Sequence, residues 1–204
     1  MDKFVPGVWA DYRLTAAERV VLGGSKRLHA VLVEGAISEL DRLAADGALQ
    51  GRAVSADFLG FRHYTVERLA RTMGHVELGF VGWPGAEDDP VVDGMRAVAF
   101  DLRRLLVVTM GSRAVLVLDG RLASHGGRAG GGSRRGRRER RYPVSAVPVS
   151  GTTLGCGDAF IAWFLDELWR GGDLDGAVAR GMMGGAQATA WRYPLPDDAY
   201  ASSS

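Results

Sequence analysis

Residues 152–165 read TTLGCGDAFIAWFL, and they join a predicted strand to the start of a strongly amphipathic helical pattern. Gly155 and Gly157 flank the small residue Cys156, so the backbone can turn tightly and direct consecutive N–H groups into one concavity. The first amides of a helix lack intrahelical partners, and the helix dipole adds to their attraction for an anion. The stretch therefore predicts an anion-binding turn at a helix N-terminus, suited to a phosphate.

Asp158 follows this turn directly. A carboxylate beside a bound phosphate can accept the proton of an attacking hydroxyl, a role that typically contributes about 10²–10⁴ in rate. The same residues also fit a plain helix start, in which Asp158 only supplies a negative charge to the first turn. From the residues alone, both interpretations stay open. A nucleophilic Cys156 is less favoured, because no histidine stands near it in the sequence.

Strand and helix patterns alternate along the rest of the chain. Short apolar runs predict buried strands at 29–35, 52–58, 76–82, 104–111 and 112–122. Helical spacing with capping and terminating residues predicts helices at 36–47, 65–74, 86–102, 157–172 and 173–191. An edge strand containing two prolines is predicted at 142–149. This alternation predicts an α/β fold with a mostly parallel central sheet covered on both faces.

The region 124–141 breaks the alternation. Residues 128–141 carry seven Arg and one Glu, a local charge of +6 in a chain whose net charge is +1. We expect a disordered basic loop, inserted into a single domain that spans residues 1–204. Such a loop could also bind a polyanion with a steep dependence on salt. It contains no recognition motif and ends at one aromatic residue, Tyr142, so a nucleic-acid partner is not favoured.

The composition, 47% hydrophobic and 24% charged, is that of an ordinary globular protein. No apolar run approaches the ~20 residues of a membrane span, and the first residues lack the apolar core of a secretion signal. The single cysteine excludes an internal disulfide, and the histidines are too scattered for a zinc cluster. We therefore expect a cytoplasmic protein without a membrane partner.

TTLGCGDAFIAWFL resembles the C-terminal signature of the ribokinase/PfkB carbohydrate kinases, Asp-Thr-x-Gly-Ala-Gly-Asp followed by a helix. The resemblance implies a three-layer ribokinase-like fold and ATP-dependent phosphorylation of a sugar or fructosamine-type hydroxyl. It makes Asp158 the catalytic base, and it makes Gly155, Cys156 and Gly157 the anion hole for the transferring phosphoryl group. The runs GVWADYRLT, SADF and TLGCGDAFIA are most similar to fructoselysine and fructosamine kinases.

Neighbouring segments extend the resemblance to ATP and Mg2+ as cofactors. VVTMGSRAVLVLDG (107–120) resembles the strand and turn that border ATP, and ARGMMGGAQATAW (179–191) resembles the helix that lines the adenine pocket. These matches imply nucleotide contacts from Thr109, Gly111, Ser112, Met182, Met183 and Gly185. AEDD (86–89) falls where the family carries a glutamate that helps to hold magnesium through water, which makes Glu87 the candidate for the metal.

The chain also departs from the family pattern. Thr152 stands where the family has Asp, Trp163 where Gly is usual, and Met182 where a polar residue is common. The chain begins well inside the family's sequence, so we expect an N-terminally truncated protein without the β-lid that excludes water from the site. The alternative is therefore a catalytically dead protein that binds a nucleotide or a partner, including a second copy in a homodimer.

Overall fold

A computed structural model of the chain describes residues 12–61, 64–122, 138–196 and 199. The chain divides into two compact units. The first comprises Met1–Gly111 and Leu116–Tyr142, and the second comprises Ser112–Val115 and Pro143–Ser204. The single domain predicted for residues 1–204 stays a prediction, and the two units are described separately.

Six strands of the described residues form one sheet in chain order: β1 Arg27–Val31, β2 Ala53–Asp57, β3 Leu78–Gly82, β4 Leu105–Thr109, β5 Ala114–Asp119 and β6 Glu139–Pro143. The pairs β1–β2, β2–β3 and β3–β4 are parallel. Six helices accompany them in the same part of the chain: α1 Ala16–Gly24, α2 Glu34–Ala45, α3 Val66–Met73, α4 Pro90–Asp101, α5 Cys156–Trp169 and α6 Leu174–Ala188. The predicted α/β fold with a mostly parallel sheet is confirmed.

Capping residues set the starts of the predicted helices. The Thr65 side chain accepts a hydrogen bond from the Arg68 N–H and so starts α3. Asp89 caps α4 by accepting from the Val91 N–H, and Pro90 takes the first helical position, where its missing N–H costs nothing. Asp173 caps α6 by accepting from the Gly176 N–H at 2.7 Å. Each such cap stabilises a helix by about 1 kcal/mol. The helices predicted at 65–74 and 173–191 start within one residue of α3 and α6, whereas the helix predicted at 86–102 starts four residues before α4.

The core of the first unit consists of fully buried apolar side chains from its strands and helices: Leu32, Phe58, Leu69, Met73, Met95, Leu106, Leu116 and Leu118. Burying each of these side chains contributes about 1.5–3 kcal/mol. Strands β3, β4 and β5 read as nearly continuous apolar runs because most of their residues are buried, and β2 also buries Ser55 and Asp57. This burial holds the carboxyl ends of β2 and β4 in place, which carry Asp57 and Thr109.

Helix α1 was not predicted from the sequence. Only Leu22 of its nine residues is buried, so the chain shows no apolar periodicity there. Its local signal is a capping box, in which Thr15 accepts from the Glu18 N–H and Glu18 accepts from the Thr15 N–H. Long-range ion pairs also hold the helix, since Arg19 bonds to the buried carboxylate of Glu39 at 3.0 Å.

Strand β6 begins at Glu139, three residues before the edge strand predicted at 142–149. The Arg96 guanidinium on α4 bonds to the Glu139 carboxylate at 3.0 Å, and both side chains are largely buried. Arg138 stacks over the Phe100 ring at 4.3 Å. Arg96 and Phe100, which hold Glu139 and Arg138, are distant from them in the sequence. The prediction from composition therefore extended the loop as far as Arg141. The rest of the predicted disordered loop, residues 124–137, lies outside the described residues.

Close packing of α5 against α6 builds the second unit. A Cβ on Gly184 would lie 2.7 Å from both the Ala159 carbonyl oxygen and Cγ of Trp163. Trp163 therefore fills the space that Gly184 leaves, and the Arg180 guanidinium lies 4.5 Å from the centre of its ring. This contact shows how α5 accommodates a tryptophan where the family usually has glycine.

The Gly184→Ala substitution is expected to lower the free energy of unfolding by about 1–3 kcal/mol, because backbone and a rigid ring surround the added methyl group. Chemical denaturation followed by circular dichroism measures this change. The control is Gly23→Ala in α1, where an added Cβ meets nothing within 4 Å. That variant should gain about 0.5–1 kcal/mol from helix propensity. Unchanged stability of the Gly184 variant would contradict the close packing.

Candidate functional site

The turn before α5 is built around Gly155, which is the N-cap of the helix. Its φ of 83° lies in the left-handed region that favours glycine. The Leu154 N–H donates to Oγ1 of Thr152 at 3.1 Å, which closes the preceding bend. The first bond of α5 runs from the Ala159 N–H to the Gly155 carbonyl oxygen at 2.8 Å. The predicted turn and helix are thus present, with α5 beginning at Cys156. The strand predicted at 142–149 is not, because β6 ends at Pro143 and residues 144–151 form no strand.

Two amides at this helix start remain available for a ligand. The Cys156 N–H donates to the Thr153 carbonyl oxygen at 3.4 Å, whereas the N–H groups of Gly157 and Asp158 precede the first intrahelical bond. No side chain of the described residues caps the helix. Gly157 is exposed, and an added Cβ there would meet nothing within 4 Å. The turn is therefore open to an anion at its first helical amides.

The Asp158 carboxylate lies in the first turn of α5 and is exposed. Within the described ranges it takes part in no hydrogen bond or ion pair, so it can accept a proton from an incoming group.

Cys156 behaves differently, because burial raises the pKa of its thiol above the usual value. A thiol with a raised pKa stays protonated at neutral pH, so Cys156 suits the role of a small neutral residue better than that of a nucleophile.

The backbone that follows α6 holds this turn in place. The Gly151 N–H donates to the Thr189 carbonyl oxygen at 2.9 Å, and the Thr152 N–H donates to the Trp191 carbonyl oxygen at 3.0 Å. A Cβ on Gly155 would collide with the Pro194 carbonyl oxygen. Glycine is thus required at Gly155 for both its φ and its space. Sequence reasoning missed this support, because no local pattern links the segment 189–194 to the turn.

Helix α6 brings one of the predicted nucleotide residues to the turn. A Cβ on Gly185 would lie 3.3 Å from the Cys156 carbonyl oxygen, so the two backbones approach closely there. Met182, on the same helix, is half-buried, and Met183 is exposed. Within the second unit, Gly185 therefore lies beside the α5 turn, and its contact with a nucleotide stays a prediction.

Thr109 and Gly111 belong to the first unit and follow the end of β4. The Thr109 carbonyl oxygen accepts from the Trp83 N–H at 2.8 Å, and Oγ1 of Thr109 donates to the Val81 carbonyl oxygen at 3.4 Å. Gly111 adopts a φ of 62° in the turn between β4 and β5. Ser112 lies in the same turn, is exposed, and is counted with the second unit.

Glu87 lies in the first unit, between β3 and α4. Its Oε2 atom accepts from Nε of Arg141 on β6 at 2.8 Å, and the two side chains are 37% and 50% exposed, respectively. The described residues contain no group of three or more His, Cys, Asp or Glu side chains that could hold a metal ion. This donor set does not fit a preformed magnesium site. Glu87 as a metal contact stays a prediction, and its Oε2 atom is shared with the Arg141 ion pair.

Comparison with known proteins identifies the fold. No family model and no curated protein sequence matches the chain. The structure of adenosine kinase from Schistosoma mansoni with adenosine and AMP matches 91% of this chain and 58% of its own, with 15% identity and a TM-score of 0.68. Ribokinase from Thermotoga maritima matches 87% of this chain and 54% of its own, with 14% identity and a TM-score of 0.60.

A third neighbour is adenosine kinase from Anopheles gambiae in complex with P1,P4-di(adenosine-5) tetraphosphate. It matches 86% of this chain and 53% of its own, with 19% identity and a TM-score of 0.58. Likeness at these identities shows a ribokinase-like fold. The chain spans little more than half the length of these neighbours. Among the described helices, none has the length and apolar composition of a membrane span.

Proposed function

We propose that the chain belongs to the ribokinase/PfkB carbohydrate kinases and transfers a phosphoryl group from ATP to a hydroxyl of a sugar or fructosamine-type substrate. One observation carries the proposal: the turn before α5 places the uncapped amides of Gly157 and Asp158 next to the exposed Asp158 carboxylate. Solved kinases that share the fold support it. The fructosamine-type acceptor rests only on the sequence resemblance of SADF and TLGCGDAFIA.

Each part of the turn has its own chemical role. The open N–H groups and the positive end of the helix dipole would stabilise the negative charge on the oxygens of the transferring phosphoryl group. The Asp158 carboxylate would accept the proton of the acceptor hydroxyl as its oxygen attacks the γ-phosphorus. The bond from the γ-phosphorus to the β,γ-bridging oxygen would break, and ADP would leave with that oxygen. Gly155 would keep the turn in its left-handed conformation throughout.

ATP is the proposed phosphoryl donor. Its contacts would come from the residues that the resemblance assigned to the nucleotide: Thr109, Gly111, Ser112, Met182, Met183 and Gly185. Magnesium would arrive with ATP, since this ion usually keeps several waters and is bound through phosphate oxygens. The described donor set does not fit a preformed metal site, so no step of the proposed transfer is assigned to a metal ligand of this chain. The proton transfer and the charge stabilisation described above use only residues of the turn.

A catalytically inactive nucleotide-binding protein is the second candidate. Thr152 favours it, because the family carries an aspartate at this position and a neutral hydroxyl supplies no charge. In the structure Oγ1 of Thr152 accepts from the Leu154 N–H, so its role is to shape the turn. This candidate keeps the anion-binding amides and predicts nucleotide binding without turnover.

ATP with magnesium is expected to stabilise the wild-type chain by about 2.7 kcal/mol at a concentration 100-fold above its Kd. Thermal denaturation measures this gain, and magnesium without ATP is the control, because it supplies the ion but not the phosphates that the turn would bind. ADP release in the presence of sugars, fructosamines and nucleosides then tests transfer. Stabilisation without ADP release would favour the inactive alternative. No stabilisation by ATP would contradict both candidates.

A further inference from the structure

Asp57 ends β2 and is a buried carboxylate, 8% exposed, that the proposed mechanism does not use. Its Oδ1 atom accepts from the Leu59 N–H at 2.8 Å. Leu59 has a φ of 55°, in the left-handed region that a leucine rarely adopts. Such a conformation persists only when neighbouring groups hold it, and such residues concentrate at binding and catalytic sites.

The carbonyl group of Leu59 connects this bend to β3 and β4. It accepts from the Gly82 N–H at 2.7 Å, and a Cβ on Gly82 would lie 3.1 Å from the same oxygen. Gly82 is the register partner of Thr109 in the parallel β3–β4 pair. The next residue, Trp83, donates its N–H to the Thr109 carbonyl oxygen at 2.8 Å. A continuous path of contacts therefore crosses the carboxyl ends of three neighbouring strands, from Asp57 to Thr109.

We propose that Asp57 is a positioning residue that sets Thr109 for nucleotide binding by holding Leu59 in its left-handed conformation. The proposal rests on the proposed function, in which Thr109 borders ATP. Without the carboxylate, Leu59 relaxes to a negative φ and its carbonyl group turns away from the Gly82 N–H. The ends of β3 and β4 then lose a shared contact at the edge of the sheet where ligands of parallel α/β folds usually bind.

The Asp57→Ala variant is expected to bind ATP about tenfold more weakly, because a small displacement of a binding group has a large effect on the site. Asp57→Asn should stay within about threefold of wild type, since its amide oxygen still accepts from the Leu59 N–H. Isothermal titration calorimetry measures the Kd. Hydrogen exchange of the Gly82 and Trp83 amides, which report on the path directly, should be faster in Asp57→Ala.

The decisive variant is the double substitution Asp57→Ala with Leu59→Gly. Glycine adopts a positive φ without help from the carboxylate, so both the ATP affinity and the amide protection should return toward wild type. A general structural role of Asp57 in the core would not be rescued by this change. The matched control is Glu39→Ala on α2, which removes a buried carboxylate that accepts from the Leu14 N–H at 3.3 Å. Glu39 pairs with Arg19 and Arg42 and takes no part in the path from Asp57 to Thr109, so the control should not alter the Kd for ATP.

The outcomes separate the two proposals. Unchanged ATP affinity in Asp57→Ala, or no rescue by Leu59→Gly, overturns the positioning role. If Asp57→Ala does not fold, recovery of folding in the double variant supports the role, and failure to recover overturns it. If the wild type binds no ATP, the proposed function fails. Hydrogen exchange of the Gly82 and Trp83 amides in the same variants then still shows whether Asp57 maintains the contacts that lead from Leu59 to Thr109.

Discussion

Asp158→Asn is expected to slow phosphoryl transfer by about 10²–10⁴-fold, because the amide has the shape of the carboxylate but cannot accept the proton of the acceptor hydroxyl. The Kd for ATP should change far less, since the backbone amides of Gly157 and Asp158 remain in place. The fold should also survive. The side chain is exposed and its charge contributes only about 0.3–1 kcal/mol at the helix N-terminus. Steady-state ADP release and calorimetric ATP binding measure the two quantities separately.

Asp166→Asn in the same helix provides the matched control. Asp166 forms an i,i+4 ion pair with Arg170 at 2.8 Å on the surface of α5, and losing such a pair costs about 0.3–0.5 kcal/mol. This variant should keep its turnover. If Asp158→Asn keeps turnover comparable to this control, Asp158 is not the base. If ATP affinity falls as much as the rate, Asp158 contributes to binding rather than to proton transfer.

The sequence predicted best those elements whose signals are local. Thr65 and Asp173 cap α3 and α6, and the helices predicted at 65–74 and 173–191 start within one residue of them. The helix predicted at 86–102 starts four residues too early, because Asp89 caps α4. The turn before α5 was predictable for the same reason, because two closely spaced glycines and an apolar helix are visible within a few residues. The strand predicted at 29–35 is displaced from β1, which spans Arg27–Val31. The apolar run on which the prediction rested continues beyond Val31 towards the start of α2 at Glu34.

Contacts between distant residues explain what the sequence did not reveal. The collision that a Cβ on Gly155 would suffer with Pro194 joins residues 39 positions apart, and Arg96 reaches Glu139 across 43 positions. A glycine motif identifies a turn, but it does not show which backbone lies against it. The ion pair between Glu87 and Arg141 is a similar case. The family resemblance implied a metal contact for Glu87, and composition indicated a basic loop as far as Arg141. Neither signal showed that the fold brings these two charges together.

Gly155→Ala is expected to remove ATP-induced stabilisation and to lower the free energy of unfolding. A φ of 83° costs an alanine about 1–3 kcal/mol, and the added Cβ would also collide with the Pro194 carbonyl oxygen. The turn would then have to open, which would displace the Gly157 and Asp158 amides at the start of α5. Thermal denaturation with and without ATP and magnesium measures both effects on the same samples.

Gly157→Ala, two residues along the same turn, isolates the cause. An added Cβ there meets nothing within 4 Å, and an alanine inside α5 should raise stability by about 0.5–1 kcal/mol. Loss of stability at Gly155 with a gain at Gly157 would show that the left-handed cap, rather than glycine content, maintains the turn. A Gly155→Ala variant that still responds to ATP as wild type does would place the phosphate elsewhere. Asp158 would then have no bound phosphoryl group beside it and could not serve as the base.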